Sequence, residues 1–203
     1  AHRYVNDTFS NYEEVQDHKS YLHEDKTVAI IGAGGIGKRL ITMLSGFGPR
    51  IIAVNWSGNA VPGADETYPI SEVDKVWPEA DYFVLIAPLT PQTHHMVNKD
   101  VFAQMSNHAV VVNVGRGPLI STEDLLAALD SGEIAGAALD VTEPEPLPDD
   151  HPLWKDPRVV ITPHIANTRI SVRRHLGAHT AKVAAAFEAG EEIPTRVDPN
   201  AGY

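Results

Sequence analysis

The chain has 203 residues, of which 43% are hydrophobic and 21% are charged, a composition typical of a soluble globular protein. It contains no cysteine, which excludes disulfides, thiol catalysis and thiolate metal sites, and it has no apolar run long enough to span a bilayer. With 27 acidic and 16 basic residues the net charge is −11, so we expect no nucleic-acid partner and no membrane partner. The polar N-terminus lacks a signal-peptide pattern, and we therefore expect a cytoplasmic protein.

The first quarter of the chain contains two predicted strands and the helix between them. Residues 1–25 are polar and charged with scattered aromatic residues, and we expect a linker there rather than a domain. A β-branched run at residues 26–31 predicts a buried strand. A glycine-rich turn follows at residues 32–37. Apolar residues at helical spacing then predict a helix at residues 36–45, and a second strand follows at residues 50–54.

The rest of the chain continues the alternation of strands and helices. Further apolar runs predict strands at residues 82–86, 109–114, 134–139 and 159–161. Ser121 or Thr122 should cap a helix at residues 122–131, and a final helix should cover residues 169–189. The apolar face of this final helix should consist of Leu176, Thr180, Val183 and Phe187. Strands that alternate with helices favour an α/β fold with a doubly wound parallel sheet.

The glycine turn reads Gly-Ala-Gly-Gly-Ile-Gly and lies between a predicted strand and a predicted helix. Its first glycine allows a tight turn, its second lets the backbone approach a pyrophosphate, and its last lets the helix pack closely on the strand. The helix N-terminus would add N–H groups and the positive end of its dipole. The motif predicts a Rossmann-type dinucleotide site with contacts from Gly32, Gly34, Gly35, Ile36 and Gly37.

The end of the second predicted strand bears on the choice of cofactor. NAD-binding domains usually place Asp or Glu there to bind the ribose 2′-hydroxyl, but this chain has Asn55, followed by Trp56 and Ser57. No carboxylate is present to repel a 2′-phosphate, and no adjacent arginine is present to bind one. Because Asn55 and Ser57 could hydrogen-bond either group, the sequence leaves both NAD and NADP open.

Three segments that follow predicted strands carry groups suited to catalysis. Residues 113–117 contain an arginine, residues 139–146 contain several acids, and residues 162–166 contain a histidine. Such a set could hold an anionic carbonyl substrate, donate a proton to it and orient the proton donor. We predict no metal site, since His175 and His179 are four residues apart on a predicted helix but lack a third ligand.

From residue 26 onward the chain resembles the D-isomer-specific 2-hydroxyacid dehydrogenase family. The resemblance rests on five motifs in the family's order: the glycine turn, APLTPQT from Ala87, VNVGRG from Val112, ALDVTEPEP from Ala138 and TPHIA from Thr162. Taken together these motifs are far more specific than any one of them.

The resemblance also implies roles for individual residues. Arg116 would bind the substrate, His164 would transfer a proton, and Glu145 would be the carboxylate partner that stabilises the imidazolium and fixes its tautomer. Further cofactor contacts are implied for Ala87, Pro88, Val114, Gly115, Arg116, Asp140, His164 and Ala166.

The activity implied by the resemblance is hydride transfer between NAD or NADP and a 2-oxo acid or D-2-hydroxy acid, by a homodimer. The TEPEPLP loop favours glyoxylate or hydroxypyruvate as substrate, with 3-phosphoglycerate as the alternative. A formate dehydrogenase is disfavoured because those relatives lack the partner that Glu145 supplies. A different function, that of a dinucleotide-sensing binding protein similar to the family's corepressors, stays open.

The resemblance implies three segments in this chain. Residues 1–25 would be the remnant of a connecting helix and linker, residues 26–168 the dinucleotide-binding domain, and residues 169–203 a helix and tail that return to the substrate domain. The family's preceding lobe, which forms most of the substrate domain, is not recognised in the sequence.

Overall fold

The computed structural model describes residues 25–167 and 169–196. The strands are β1 (Thr27–Ile31), β2 (Arg50–Asn55), β3 (Glu66–Pro69), β4 (Tyr82–Leu85), β5 (Val110–Asn113), β6 (Gly136–Leu139) and β7 (Val159–Ile161). The α-helices in these ranges are α1 (Gly35–Leu44), α2 (Lys99–Phe102), α3 (Thr122–Ser131) and α4 (Arg169–Ala189). Short 3-10 helices occupy Ser45–Phe47, Ile70–Lys75, Gly117–Leu119 and Pro152–Trp154.

All seven strands form one parallel sheet in the order β3-β2-β1-β4-β5-β6-β7. Within the described residues the sheet begins with β1, is extended on one side by β2 and β3, and then gains β4 on the other side of β1. The loops that leave β1 and β4 therefore run in opposite directions and open a crevice at the carboxyl edge of the sheet, where α/β proteins of this topology bind ligands.

Both faces of the sheet are covered by apolar side chains, as a parallel sheet requires. Alternate residues of β1 point to opposite faces, so that Ala29 and Ile31 join one buried cluster while Val28 and Ile30 join the other. The smaller cluster includes Ile41 of α1, and the larger includes Phe102 of α2 together with Leu125 and Leu129 of α3. This burial on both sides explains why the strands read as continuous apolar runs in the sequence.

The predicted α/β fold with a doubly wound parallel sheet is confirmed. All six predicted strands are present, and the structure adds β3, which was not predicted. The sequence of β3 is Glu-Thr-Tyr-Pro, and its four residues are only half-buried because it lies at the edge of the sheet. An edge strand of this kind lacks the apolar run from which the other strands were predicted.

The predicted helices are also confirmed: α1 is shifted by one residue, and α3 and α4 have the predicted bounds. Ser121 is the N-cap of α3, and its hydroxyl accepts a hydrogen bond from the Asp124 N–H at 3.4 Å. On α4 the residues Leu176, Thr180, Val183 and Phe187 share one face, as predicted, and Leu176 is 57% and Phe187 72% exposed. Ala186 of this helix is buried.

The expectation of a linker at residues 1–25 falls outside the described residues, except for Asp25. The division of the chain into three segments therefore stays a prediction. In the part of the chain that the structure describes, no helix has both the length and the apolar character needed to cross a membrane.

Candidate active site

The glycine turn follows the carboxyl end of β1, and the side of the turn that faces the protein interior is closely packed. Gly32 has φ of +105°, and a Cβ built on it would lie 2.5 Å from the backbone nitrogen of Ala87, so only glycine fits there. Gly37 is also confined, since its Cβ would lie 2.8 Å from the Gly32 carbonyl oxygen. A Cβ on Gly34 or Gly35, by contrast, would meet no atom within 4 Å. The outer side of the turn is therefore open to a ligand.

Helix α1 begins at this open side of the turn. Its N-cap is Gly34, which has no side chain to accept hydrogen bonds from the first turn of the helix. The N–H of Lys38 donates to the Gly34 carbonyl at 2.9 Å and starts the helical ladder. The N–H groups before Lys38 and the positive end of the helix dipole can therefore bind an anionic group such as a pyrophosphate.

A cleft of about 410 Å³ lies at the carboxyl ends of β1, β2 and β4. Seven of the predicted cofactor residues line it: Gly32, Gly34, Asn55, Trp56, Ser57, Ala87 and Pro88. Among its described lining residues Lys38 is the single charged side chain, and none is acidic. Nine predicted cofactor residues do not line this cleft, namely Gly35, Ile36, Gly37, Val114, Gly115, Arg116, Asp140, His164 and Ala166.

The carboxamide of Asn55 is engaged within its own loop. Its Oδ1 accepts hydrogen bonds from the N–H groups of Ser57 at 3.1 Å and Gly58 at 2.7 Å, and its Nδ2 donates to the Asn59 carbonyl at 2.8 Å. Asn55 therefore shapes the turn after β2. A contact from Asn55 to the cofactor ribose stays a prediction, whereas the neighbouring Trp56 is 67% exposed at the same cleft.

His164 and Glu145 meet at the carboxyl edge of β6 and β7. The Nδ1 of His164 lies 2.6 Å from Oε1 of Glu145, and the two side chains are 51% and 42% exposed. His164 has φ of +52°, a conformation that costs a residue with a Cβ about 1–3 kcal/mol and is concentrated at functional sites. Its N–H is shared between the carbonyl oxygens of Asp140 at 2.9 Å and Thr162 at 3.0 Å. The backbone thus holds the imidazole against Glu145.

The carboxylate of Asp140 fixes the turn that carries His164. It accepts hydrogen bonds from the Thr162 hydroxyl at 2.5 Å and from the N–H groups of Ile165 and Ala166, both at 2.9 Å. Burial by itself raises the pKa of Asp140, but these hydrogen bonds and the nearby His164 outweigh burial and hold the pKa below its ordinary value. Asp140 and Ala166 therefore bind each other, and their predicted contacts with the cofactor stay predictions.

Arg116 lies on the neighbouring loop, after β5, and its side chain is exposed. Its Nη1 donates to the Gly115 carbonyl at 2.7 Å, so the guanidinium rests on its own loop. Buried Asn113 shapes this loop, because its Nδ2 donates to the Arg116 carbonyl at 2.9 Å and its Oδ1 accepts from the Gly115 N–H at 3.1 Å. The structure thus brings Glu145 and His164 into direct contact and places Arg116 on the adjacent loop.

The loop of Arg116 and the loop of Glu145 are packed against each other at Gly117. A Cβ on Gly117 would lie 1.9 Å from the Thr142 carbonyl oxygen and 2.9 Å from the Glu143 nitrogen. The N–H of Asp140 also donates to the Asn113 carbonyl at 2.9 Å. These contacts fix the spacing of the two loops that carry the predicted substrate and acid–base residues.

Sequence reasoning missed three residues that organise this edge of the sheet. Asn113 is a buried amide at the end of an apolar strand, which is a signal that could have been recognised. Thr162 is 22 residues from Asp140, and nothing in the sequence joins them. Lys38 directly follows the last glycine of the turn, but its position at the cleft depends on the rotation of α1.

Comparison with known proteins finds sequences and structures that are similar to this chain. Residues 2–166 match the family model of the D-isomer specific 2-hydroxyacid dehydrogenase, NAD binding domain. The chain is 57% identical over 190 residues to an uncharacterized protein in the proB 3′ region of Corynebacterium melassecola, covering 94% of this chain and 62% of that protein. It is 36% identical over 178 residues to glyoxylate reductase of Thermofilum pendens, covering 85% of this chain and 51% of that enzyme.

A solved structure is similar over the same range. The NADPH-dependent glyoxylate/hydroxypyruvate reductase from Sinorhizobium meliloti, in complex with NADP and sulfate, has a TM-score of 0.83 and 35% identity. That comparison covers 95% of this chain and 63% of the other. The chain thus spans between about half and about two thirds of the length of these relatives.

Proposed function

The chain belongs to the D-isomer specific 2-hydroxyacid dehydrogenase family, and from this premise we propose that it carries the cofactor site and acid–base pair of an NAD(P)-dependent oxidoreductase. The reaction is the reversible reduction of a small 2-oxo acid to a D-2-hydroxy acid. The observation that carries the proposal is the 2.6 Å contact between His164 Nδ1 and Glu145 Oε1, at the same edge of the sheet as the dinucleotide cleft.

The cleft fits a nicotinamide dinucleotide in shape and charge. The open faces of Gly34 and Gly35 leave room for a pyrophosphate at the N-terminus of α1, where backbone N–H groups can bind it. A dinucleotide bound in the cleft would supply the hydride for C2 of the substrate from its dihydronicotinamide ring. Because no described lining residue is acidic, we expect the cleft to accept the 2′-phosphate of NADP as well as the 2′-hydroxyl of NAD.

His164 is the proposed proton donor for the substrate carbonyl oxygen. With Nδ1 held by Glu145, Nε2 is the ring nitrogen that can face the substrate. In the reducing direction the proton leaves Nε2 for the developing alkoxide as C2 takes up hydride, and in the oxidising direction Nε2 takes the hydroxyl proton. The carboxylate of Glu145 stabilises the protonated imidazole and keeps its orientation between these two steps.

Arg116 is the proposed anchor for the substrate carboxylate. Its guanidinium is exposed and donates to the Gly115 carbonyl, and because it forms no salt bridge with the described residues it can turn toward an anion. A planar guanidinium can bind a carboxylate with two parallel N–H···O bonds, which sets the orientation of the carbonyl beside it. Glyoxylate and hydroxypyruvate are the proposed substrates, with 3-phosphoglycerate as the competing candidate.

The test is steady-state kinetics on the protein with these three substrates, in the appropriate direction, and with NAD(H) and NADP(H). His164→Gln should lower turnover by about 100-fold or more, the usual contribution of a general acid, with little change in cofactor affinity. His108→Gln is the matched control, because His108 also pairs with a carboxylate, Asp81 at 2.9 Å, at the opposite edge of the sheet. A wild-type rate in His164→Gln contradicts the proposed role, and cofactor binding without turnover in wild-type protein indicates a dinucleotide sensor instead.

The proposed setting for this activity is a cytoplasmic homodimer without nucleic-acid or membrane partners. The negative net charge of −11 opposes binding to phosphate backbones and anionic lipid surfaces. Light scattering coupled to size-exclusion chromatography tests the dimer, and a mass equal to one chain contradicts it.

A further inference from the structure

A second cluster of histidine and carboxylate side chains joins the loop after β4 to the loop after β6. The Nε2 of His95 lies 2.5 Å from one oxygen of Glu143, and the Nε2 of His94 lies 3.9 Å from the other oxygen. One ligand atom from each of these three residues lies within 4.8 Å of the others. Glu143 is not the partner of His164, so the cluster is separate from the proposed acid–base pair.

The backbone holds both halves of this cluster in place. His95 has φ of +49°, its N–H donates to the Pro118 carbonyl at 2.8 Å, and its carbonyl accepts from Nδ2 of Asn98 at 3.2 Å. On the other loop, the Glu143 carbonyl accepts a hydrogen bond from the Thr122 hydroxyl at 2.6 Å. As at His164, a residue with a Cβ is kept in the left-handed region, which aims its side chain at one fixed point.

The chemistry of the cluster suits a divalent cation of the zinc class. Two imidazoles and one carboxylate are ligands that Zn²⁺ takes in tetrahedral sites, and Co²⁺ and Ni²⁺ also bind imidazole. Bonds of about 2.0–2.1 Å put the ligands of a tetrahedral ion about 3.3 Å apart. The observed separations of 2.5 Å and 3.9 Å, each to a different oxygen of Glu143, lie on either side of that value. The side chains of His94, His95 and Glu143 are 52%, 39% and 32% exposed, which leaves access for the ion.

We propose that His94 Nε2, His95 Nε2 and the Glu143 carboxylate bind one divalent cation, with water completing the coordination shell. The ion replaces the hydrogen bond between His95 and Glu143, and each Nε2 binds with its lone pair, so a proton there moves to Nδ1 or is released to solvent. The ion then links the loop after β4 to the loop that carries Glu145, two residues after Glu143. This site does not rest on the proposed oxidoreductase function.

The test is titration of purified, chelator-treated protein with Zn²⁺ by calorimetry and with Co²⁺ by visible absorption. We expect one equivalent to bind, with Co²⁺ bands that indicate nitrogen ligation. Since loss of even an outer-sphere partner weakens metal sites by about 10- to 100-fold, His95→Gln and Glu143→Gln should each weaken Zn²⁺ binding by at least about tenfold. Glu143→Gln is the sharper variant, because glutamine still accepts a hydrogen bond from His95 and should leave the melting temperature of metal-free protein unchanged.

The matched control is His179→Gln on α4. His175 and His179 are four residues apart on this helix and could chelate a cation independently of the cluster. Binding that persists in His179→Gln and is lost in Glu143→Gln supports the site. The proposal is overturned if Glu143→Gln binds Zn²⁺ as tightly as wild type, if His179→Gln removes the binding, or if wild-type protein binds no Zn²⁺.

Discussion

Replacement of Gly32 by alanine should lower the free energy of unfolding, although it removes no hydrogen bond. The added Cβ would lie 2.5 Å from the Ala87 nitrogen and 2.7 Å from its Cα, and backbone atoms cannot rotate away as a side chain can. The φ of +105° adds a second cost, because this backbone region disfavours any residue with a Cβ. About 1–2 kcal/mol for the backbone and about 1–3 kcal/mol for overpacking give a destabilisation of roughly 2–5 kcal/mol.

Gly34→Ala is the informative comparison in the same turn. Its φ is −82°, and its Cβ would meet no atom within 4 Å, so the free energy of unfolding should fall by about 1 kcal/mol or less, the cost of alanine at an N-cap. The methyl group would nevertheless enter the space proposed for the pyrophosphate. We therefore expect Gly34→Ala to keep most of its stability and to lose affinity for NADH and NADPH.

Urea denaturation followed by circular dichroism measures the first effect, and quenching of tryptophan fluorescence by added cofactor measures the second. The reasoning is refuted if Gly32→Ala unfolds at the wild-type urea midpoint, since the 2.5 Å contact would then be relieved without cost. It is also refuted if Gly34→Ala loses as much stability as Gly32→Ala, because the two positions would then not differ in packing.

Three further substitutions test other parts of the site and the fold. Lys38→Met should weaken NADPH binding about fivefold and leave NADH binding unchanged, since an exposed ion pair with the 2′-phosphate contributes up to about 1 kcal/mol; fluorescence titration with both cofactors measures this. Asp140→Asn should cost about 1–3 kcal/mol in urea at pH 7, because a charged acceptor of three hydrogen bonds is lost. Because the pKa of Asp140 is lowered in the folded state, its carboxylate stabilises the fold above the ordinary pKa of 3.8, and this stabilisation is lost as pH falls through the folded-state pKa. The variant should lack this pH-dependent loss of stability. An acid unfolding profile identical to that of the wild type would contradict the role of Asp140. Ser121→Ala should lower stability by about 0.5–1 kcal/mol through loss of the α3 N-cap, and an equal midpoint in urea would show that the 3.4 Å contact contributes nothing.

The fold could be predicted from the sequence wherever the local pattern of apolar residues reflects how a strand or helix is buried. The central strands are buried on both faces, so their sequences are unbroken apolar runs, as in β1 and β2. The same reasoning failed for β3, whose half-buried residues, Glu-Thr-Tyr-Pro, form no apolar run. For α4, apolar spacing predicts that residues such as Leu176 share a side of the helix, but it does not predict whether that side is covered.

The candidate site could likewise be predicted only in part. The glycine turn could be predicted because its chemistry is local, and the pairing of Glu145 with His164 came from the family resemblance rather than from spacing. Contacts between distant residues could not be predicted, since Thr162 and Asp140 are 22 positions apart, and His95 and Glu143 are 48 apart. Such contacts depend on which strands become neighbours in the sheet, and that order is a property of the whole chain.

The contact between Gly117 and Thr142 bears on how substrate preference can change within this scaffold. Since the α-carbon of one loop lies directly against the carbonyl oxygen of the other, neither loop can be lengthened, shortened or replaced alone without displacing its neighbour. The loop of Arg116 and the TEPEPLP loop therefore have to be exchanged together. Chimaeras that take both loops from one relative should keep the spacing between Arg116 and Glu145, whereas chimaeras that take only one loop should have backbones that clash at Gly117.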